Sequence, residues 1–433
     1  MSVKRPNKFA LLILLIALLF IAWLVRRSSP VLTVGIFAGS NWGVPQGEPY
    51  AIIDRAIAVF EEAHPGVRVT YVSGIQREDY AEWLAGAFLR GDAPDVFLLP
   101  TEDFTLYAEK GALMELSSLM EGDAAFTDEL YDQAAFQNGQ YAGHLYALPM
   151  ENMITLMFVN KTLLAREGIA IPPLDWTWAD FLALSRRLTK DTDGDGAPDQ
   201  FGSYDYTWQQ AATANGVRLF REDGKSSYFA DPRMEEALHF IKELEGTYAG
   251  YTVTARDFDM GRVAFRPFTF AEYRTYKPYP WRVKKFGSFE WDCIPLPAGF
   301  SGGNISTMDS LLVGMSVRTE RRELAWAFMK ILSSDPEIQA MVLEKAHALP
   351  ARRDVIRSRA AQEIFLWDSG ESAMTAGDVG DAMQTAVTPY RFERYGAAML
   401  YADRAIAALI EEPPPFHNAL NRLQKEINAI LQQ

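Results

Sequence analysis

Four carboxylates, Asp191, Asp193, Asp195 and Asp199, fall within the stretch KDTDGDGAPDQFG that runs from Lys190 to Gly202. Alternating carboxylates on a glycine-rich turn suit a hard cation such as calcium, which takes roughly six to eight oxygen ligands. The spacing resembles the first half of a calcium loop, with Ala197 offering a backbone carbonyl and Asp199 reaching the metal directly or through water. The twelfth position, where a bidentate glutamate belongs, is Gly202, so the loop is incomplete and a modest-affinity structural ion is the expectation. The competing reading is a solvated acidic turn between a helix ending at Leu188 and a strand at QFGSYDY. A second motif, GFSGG at Gly299–Gly303, fits the serine-hydrolase pattern G-x-S-x-G. That chemistry needs a strand before the serine and a helix after it, whereas the flanking residues read as loop into strand. A crossover whose glycines permit motion is the better reading. His64, His144, His239, His347 and His417 show no zinc spacing, and no glycine loop with a following lysine cradles a phosphate.

The elements that must position any site come from the apolar pattern. VLTVGIFAG reads as a buried strand, and YAIIDRAIAVFEEAHPG as a helix stopped by His64-Pro65-Gly66. VRVTYVSG, REDYAEWLAGAFLRGDAP and DVFLLP continue the series as strand, helix and strand. Such a parallel series binds ligands beyond the carboxyl ends of its strands, where GSNWG (Gly39–Gly43) and PTED (Pro100–Asp103) lie. Further α and β patterns follow, with a mostly helical tail from Ala360.

The chain has 433 residues, 48% of them apolar and 12% aromatic, so two lobes of roughly 150–200 residues each are expected. All five charges in residues 1–30 are basic, which leaves −19 of the net −14 on residues 31–433. A surface this acidic repels phosphate backbones, so nucleic acid is excluded as a partner. Cys293 is the single cysteine, so no intramolecular disulfide forms, and it lies too deep in the chain to carry a lipid anchor. Phe9–Val25 is an apolar run of 17 residues preceded by Lys4, Arg5 and Lys8. It would span about 25 Å as a helix. Arginines at VRRSSP stand where a signal peptidase wants small residues. An uncleaved signal anchor is expected, with the rest of the chain outside the cytoplasm; a cleaved signal peptide is the alternative.

FEEAHPGVRVTYV, APDVFLLP, HLYALPMEN, FVNKTLLAREGIAIPPLDWTWADFLALSRRLT, DTDGDGAPDQFG, FDMGRVAF, WDCIPLP and RRELAWAFMKILSS, in this order, resemble the bacterial extracellular sugar-binding proteins of ABC importers. The resemblance covers about Val31 to Ala351. It implies a two-lobed α/β periplasmic-binding-protein-like (type II) fold with a ligand cleft between the lobes. After an anchor at 1–30, the first lobe would comprise 31–148 and 305–347. The second would comprise 149–304 and a helical 348–433. Crossovers are implied near Leu148–Glu151, between Phe300 and Met308, and near Ala346–Ala351.

The implied ligand is a carbohydrate, the implied partner an ABC permease in the cytoplasmic membrane, and the protein a monomer that requires no cofactor beyond the structural calcium. Sugar sites combine aromatic faces, which stack on pyranose C–H groups, with carboxylates and amides that accept hydroxyl bonds. On the resemblance these would be Asn41, Trp42, Glu102, Asp103, Glu151 and Asn152, then Asp205, Tyr206 and Trp208. The stretch GRVAFRPFTFAEY departs from the family pattern, so Phe268, Phe270 or Tyr273 would replace its usual stacking tryptophan. Trp176, Trp178, Trp291 and Trp326 read as core. Two other functions fit the same residues: a carbohydrate hydrolase using Glu102 and Glu151 as its acid pair, and a membrane-tethered sugar sensor. The sugar's identity is not legible, and a peptide or polyol is open on this fold.

Overall fold

Three short apolar strands, β1 (Val31–Gly35), β2 (Arg68–Tyr71) and β3 (Val96–Pro100), run parallel because helices α1 (Pro49–Ala63) and α2 (Arg77–Arg90) carry the chain back between them. The computed structural model describes residues 30–432 apart from 46, 249, 277–288, 370 and 371. The apolar run at Phe9–Val25 lies outside the described residues. Among those described, no helix is long and apolar enough to cross a membrane. β3 is buried along its whole length, as expected of a central parallel strand covered on both faces.

Among the described residues the main sheet has nine strands. Beyond the first three are β4 (Ala147–Asn160), β5 (Phe201–Ser203), β6 (Val263–Thr269), β7 (Trp291–Ile294), β8 (Met308–Met315) and β9 (Leu349–Pro350). Their order is β2-β1-β3-β8-β4-β6-β5, with β7 and β9 also paired to β4. β8 is antiparallel to both β3 and β4. The long β4 joins the two halves: residues up to Ile154 pair with β8, and those from Thr155 pair with β6. β9 pairs with β4 at Glu151 and Asn152, so three chain segments lie side by side there.

Two apolar cores flank this sheet. One gathers Leu32, Ile52, Phe60, Tyr80, Phe97 and Leu99 around the parallel strands. The other gathers Trp178, Phe181 and Phe240 with Ile406, Leu420 and Ile427 of the tail. Alternation along β4 sends Leu156 and Phe158 to the first and Met157 and Val159 to the second. Trp176, Trp178, Trp291 and Trp326 are all buried. Trp178 stacks on Phe240 with centroids 4.3 Å apart and planes within 4°. The tail divides: buried residues of 349–386, including α3 (Ala376–Thr385), join the first core. Those from Ala398 onward, on α4 (Tyr395–Glu411) and α5 (His417–Leu431), join the second. The tail's buried residues therefore change core near residue 387.

Local signals start the helices. Thr177 and Asp180 form a reciprocal capping box at Trp178–Leu188, as do Thr207 with Gln210, Thr254 with Asp257 and Thr375 with Asp378. Close backbone approach fixes several glycines. A Cβ on Gly202 would stand 2.2 Å from Ser185 Cα, where β5 crosses the helix Trp178–Leu188. Gly202→Ala is expected to lower the unfolding free energy by about 2 kcal/mol, through overpacking that neither backbone can relieve. An unchanged urea midpoint for that variant would contradict the approach.

Candidate ligand site at the strand ends

The chain leaves β1 into residues 36–43 and leaves β3 directly into the helix Thr101–Glu109, so the segments carrying Trp42 and Glu102 emerge from neighbouring strands. Trp42 is partly buried, and its indole N–H donates to Glu151 Oε2 at 2.7 Å. Glu151 sits on β4 and is 3% exposed; burial raises its carboxyl pKa to about 7, against the lowering effect of the indole bond. Arg77, the first residue of α2, donates its Nε to Asn41 Oδ1 at 2.9 Å and its Nη2 to Glu102 Oε1. Its guanidinium also lies 5.4 Å from the centroid of the Phe37 ring. Asp103 is partly buried, and its carboxyl is pushed above the usual range by burial first and by Glu102 next, with Arg77 opposing.

Asp309 on β8 accepts from Thr101 Oγ1 and, at 2.6 Å, from Arg391 Nη2. Arg391 donates its other terminal nitrogen to Asn138 Oδ1, also at 2.6 Å. Its chain neighbours Tyr390 and Phe392 pack on Phe220 of the second core, with centroids 5.3 and 5.1 Å away. Arg391 therefore ties second-core chain to first-core residues. Burial holds its guanidinium below the usual range, while Asp309 and then Glu102 oppose that effect.

The structure thus brings Asn41, Trp42, Glu102, Asp103 and Glu151 to one edge and adds Arg77, Asp309 and Arg391. The last three gave little sequence signal. Asp309 interrupts an apolar strand pattern at STMDSLLVG, but its partner lies 82 residues away.

Other expected contacts lie elsewhere. Asn152 is fully buried, where its Oδ1 accepts from Ser310 Oγ at 2.7 Å and its Nδ2 donates to Pro350 O at 3.3 Å. It holds strands together and offers no open face. The Tyr206 hydroxyl accepts from the Trp178 indole at 3.1 Å inside the second core. Trp208 is also core, with its N–H on Asp403 at 2.9 Å. Asp205 is exposed, in the left-handed region at φ +64°, and sits 3.6 Å from Arg266. Phe268, Phe270 and Tyr273 are 5%, 0% and 0% exposed. They pack around Phe158, Trp291 and Phe365, with Tyr273 5.8 Å from Trp291. These aromatics build the core instead of an open stacking surface, because an aromatic buries the same apolar face in either role.

At the acidic turn, single carboxylate oxygens of Asp191, Asp193 and Asp195 lie within 4.8 Å of one another, all exposed. Asp191 accepts backbone N–H bonds from Gly194 at 2.6 Å and Gly196 at 2.8 Å, which lower its pKa, Gly196 contributing most. Gly194 and Gly196 have φ +81° and +94°, the left-handed backbone that folds the turn. Asp199 is bonded to Thr192, by backbone N–H at 2.8 Å and hydroxyl at 2.7 Å. Gly202, the twelfth position, has no room for a glutamate. Asp191, Asp193, Asp195, Asp199 and the Ala197 carbonyl suit calcium by donor type, and each of the four carboxylates already accepts a hydrogen bond within the turn.

Ser301 of GFSGG donates its hydroxyl to Glu236 at 3.0 Å and its backbone N–H to Asn215 at 2.8 Å, inside a turn with no helix after it. Its glycines serve packing: Cβ atoms on Gly299 and Gly302 would stand 2.7 Å from Asn215 Cα and 2.0 Å from Ala214 O.

The family model for bacterial extracellular solute-binding proteins matches residues 44–339. The chain belongs to that family. Among related sequences, the putative ABC transporter periplasmic-binding protein YcjN of Escherichia coli is 23% identical over 327 residues, 71% of each chain. An uncharacterized lipoprotein of Streptomyces antibioticus is 22% identical over 66% of this chain, which spans 64% of that relative's length. Among solved structures, the cyclic alpha-maltosyl-1,6-maltose binding protein of Arthrobacter globiformis has a TM-score of 0.75 at 17% identity, covering 93% of this chain and 99% of that one. An ABC substrate-binding protein of Listeria monocytogenes in complex with cycloalternan has a TM-score of 0.66 at 22% identity, covering 94% and 100%. This solute-binding protein therefore has their two-lobed α/β fold.

Proposed function

We propose that this solute-binding protein captures a carbohydrate, an oligosaccharide in particular, by closing its lobes and hands it unchanged to an ABC permease. The observation that carries the reading is Trp42, an indole fixed by buried Glu151, whose chain neighbour Asn41 is joined through Arg77 to the carboxylate of Glu102. An aromatic face beside planar acceptors is the combination a pyranose needs. The oligosaccharides named with the Listeria and Arthrobacter proteins support the same ligand class. The sugar contacts both lobes only when they are closed, so it shifts the population toward the closed, permease-competent form. A binding role, not hydrolysis, also fits the acids themselves: Glu102 is engaged by Arg77 and Glu151 by Trp42. The protein acts as a monomer outside the cytoplasm, and calcium held by Asp191, Asp193, Asp195 and the Ala197 carbonyl staples the turn.

Thermal unfolding of the full chain against oligosaccharides, with and without calcium, tests both parts. A sugar at 100 times its dissociation constant is expected to stabilise by about 2.7 kcal/mol. Calcium is expected to raise the midpoint, and Asp193→Asn to remove that rise. A panel of inert sugars overturns the carbohydrate reading; a calcium-insensitive midpoint overturns the staple.

A further inference from the structure

Arg391 is mounted on one core and bonded to elements of the other. At its mount, the rings of Tyr390, Phe392 and Tyr395 close on Phe220 of the second core, with centroids 5.3, 5.1 and 5.9 Å away. A Cβ on Gly224 would stand 2.4 Å from the Phe392 ring, so the mount has no slack. At the other end, the two terminal nitrogens of the guanidinium reach Asn138 Oδ1 and Asp309 Oδ1, each at 2.6 Å. Both acceptors are fixed within the first half of the molecule. Asn138 is 1% exposed and donates its Nδ2 to Met308 O at 3.0 Å and to Ser310 Oγ at 2.8 Å. Asp309 Oδ1 also accepts from Thr101 Oγ1 and from the Ser310 N–H. Thr388 adds a hydroxyl bond to Ala134 O at 3.2 Å.

β4 changes partner from β8 to β6 between Ile154 and Thr155, so a rotation there carries Phe220 and its three rings away from Asn138 and Asp309. Such a rotation must break both guanidinium bonds, because neither the rings nor the acceptors can follow. Arginine suits the place: its planar fork serves two acceptors at once, and at 16% side-chain exposure water competes weakly for its donors. All of these bonds lie within the protein, so they act before any ligand arrives. We propose that Arg391 is a ligand-independent latch between the lobes, which favours their closed arrangement and so sets the fraction of the protein competent to bind. The latch rests on the lobe-closure reading above but on no particular ligand.

Double electron–electron resonance on the full chain, without sugar, tests it. Glu62→Cys on α1 and Arg422→Cys on α5 place exposed spin labels on either side, one over each core, while native Cys293 is fully buried. Arg391→Ala is expected to raise the ratio of long to short label distances about tenfold, the loss of a charge-assisted pair. Arg391→Lys keeps the charge and one bond and is expected to fall between the two; it gives the same readout if the alanine variant fails to melt cooperatively. A ratio within about twofold of the parent in both variants, or a shift to shorter distances, would overturn the latch. Because no sugar is present, inert sugars would overturn the carbohydrate reading and leave this result standing.

Discussion

Trp42→Ala is expected to weaken oligosaccharide binding about 100-fold, with the ligand's stoichiometry unchanged. Two losses combine in this variant. On the proposed function the partly buried Trp42 ring stacks on the sugar, and aromatic anchors typically dominate such sites. The indole N–H also disappears from Glu151 Oε2, leaving a 3% exposed carboxylate without that 2.7 Å donor. Together these cost about 3 kcal/mol, equivalent to roughly two powers of ten in affinity. Trp42→Phe keeps the ring and loses only the donor, so it is expected to recover about half of the free energy. If Trp42→Ala binds within about threefold of the parent, Trp42 does not stack on the ligand.

The second large effect is on stability and its pH dependence. Burial raises Glu151 from an ordinary 4.5 to about 7. Below 4.5 the carboxyl is protonated in both states and adds no pH dependence. Between 4.5 and about 7 the unfolded chain gives up the proton while the folded chain retains it, so folding loses stability as pH rises. The full loss, about 3 kcal/mol from a shift of this size, is reached above pH 7. Glu151→Gln keeps the shape and an oxygen able to accept the Trp42 N–H, and it removes the titration. This variant is expected to unfold at a markedly higher temperature than the parent at pH 8, and at nearly the same temperature at pH 4. An increment equal at both pH values would mean that Glu151 ionises as freely in the folded chain as in the unfolded one.

The sequence reveals some of these features and hides others for identifiable reasons. The parallel β1–β3 layer is readable because continuous apolar runs bounded by Gly and Pro alternate with helices of clear period. The strand-end position of Trp42 and Glu102 follows from that series alone. Asn152, Tyr206, Phe270 and Tyr273 are different. Their residue types suit a wall or a core equally, and only tertiary packing buries them. Arg77, Asp309 and Arg391 illustrate the opposite difficulty: each bond joins residues far apart in sequence, so no local pattern announces it. The glycines of GFSGG look like hinge residues in one dimension, yet in three they let the 214–215 backbone approach.

Calorimetric titration of the full chain, followed by chromatography of the recovered ligand, separates capture of an unchanged sugar from its hydrolysis. With cycloalternan, maltotriose and mannotriose as ligands, saturable one-to-one binding of at least one of them is expected, weakened by Trp42→Ala, with the sugar recovered intact. Heat from none of them, or recovery of a cleaved sugar, would contradict it.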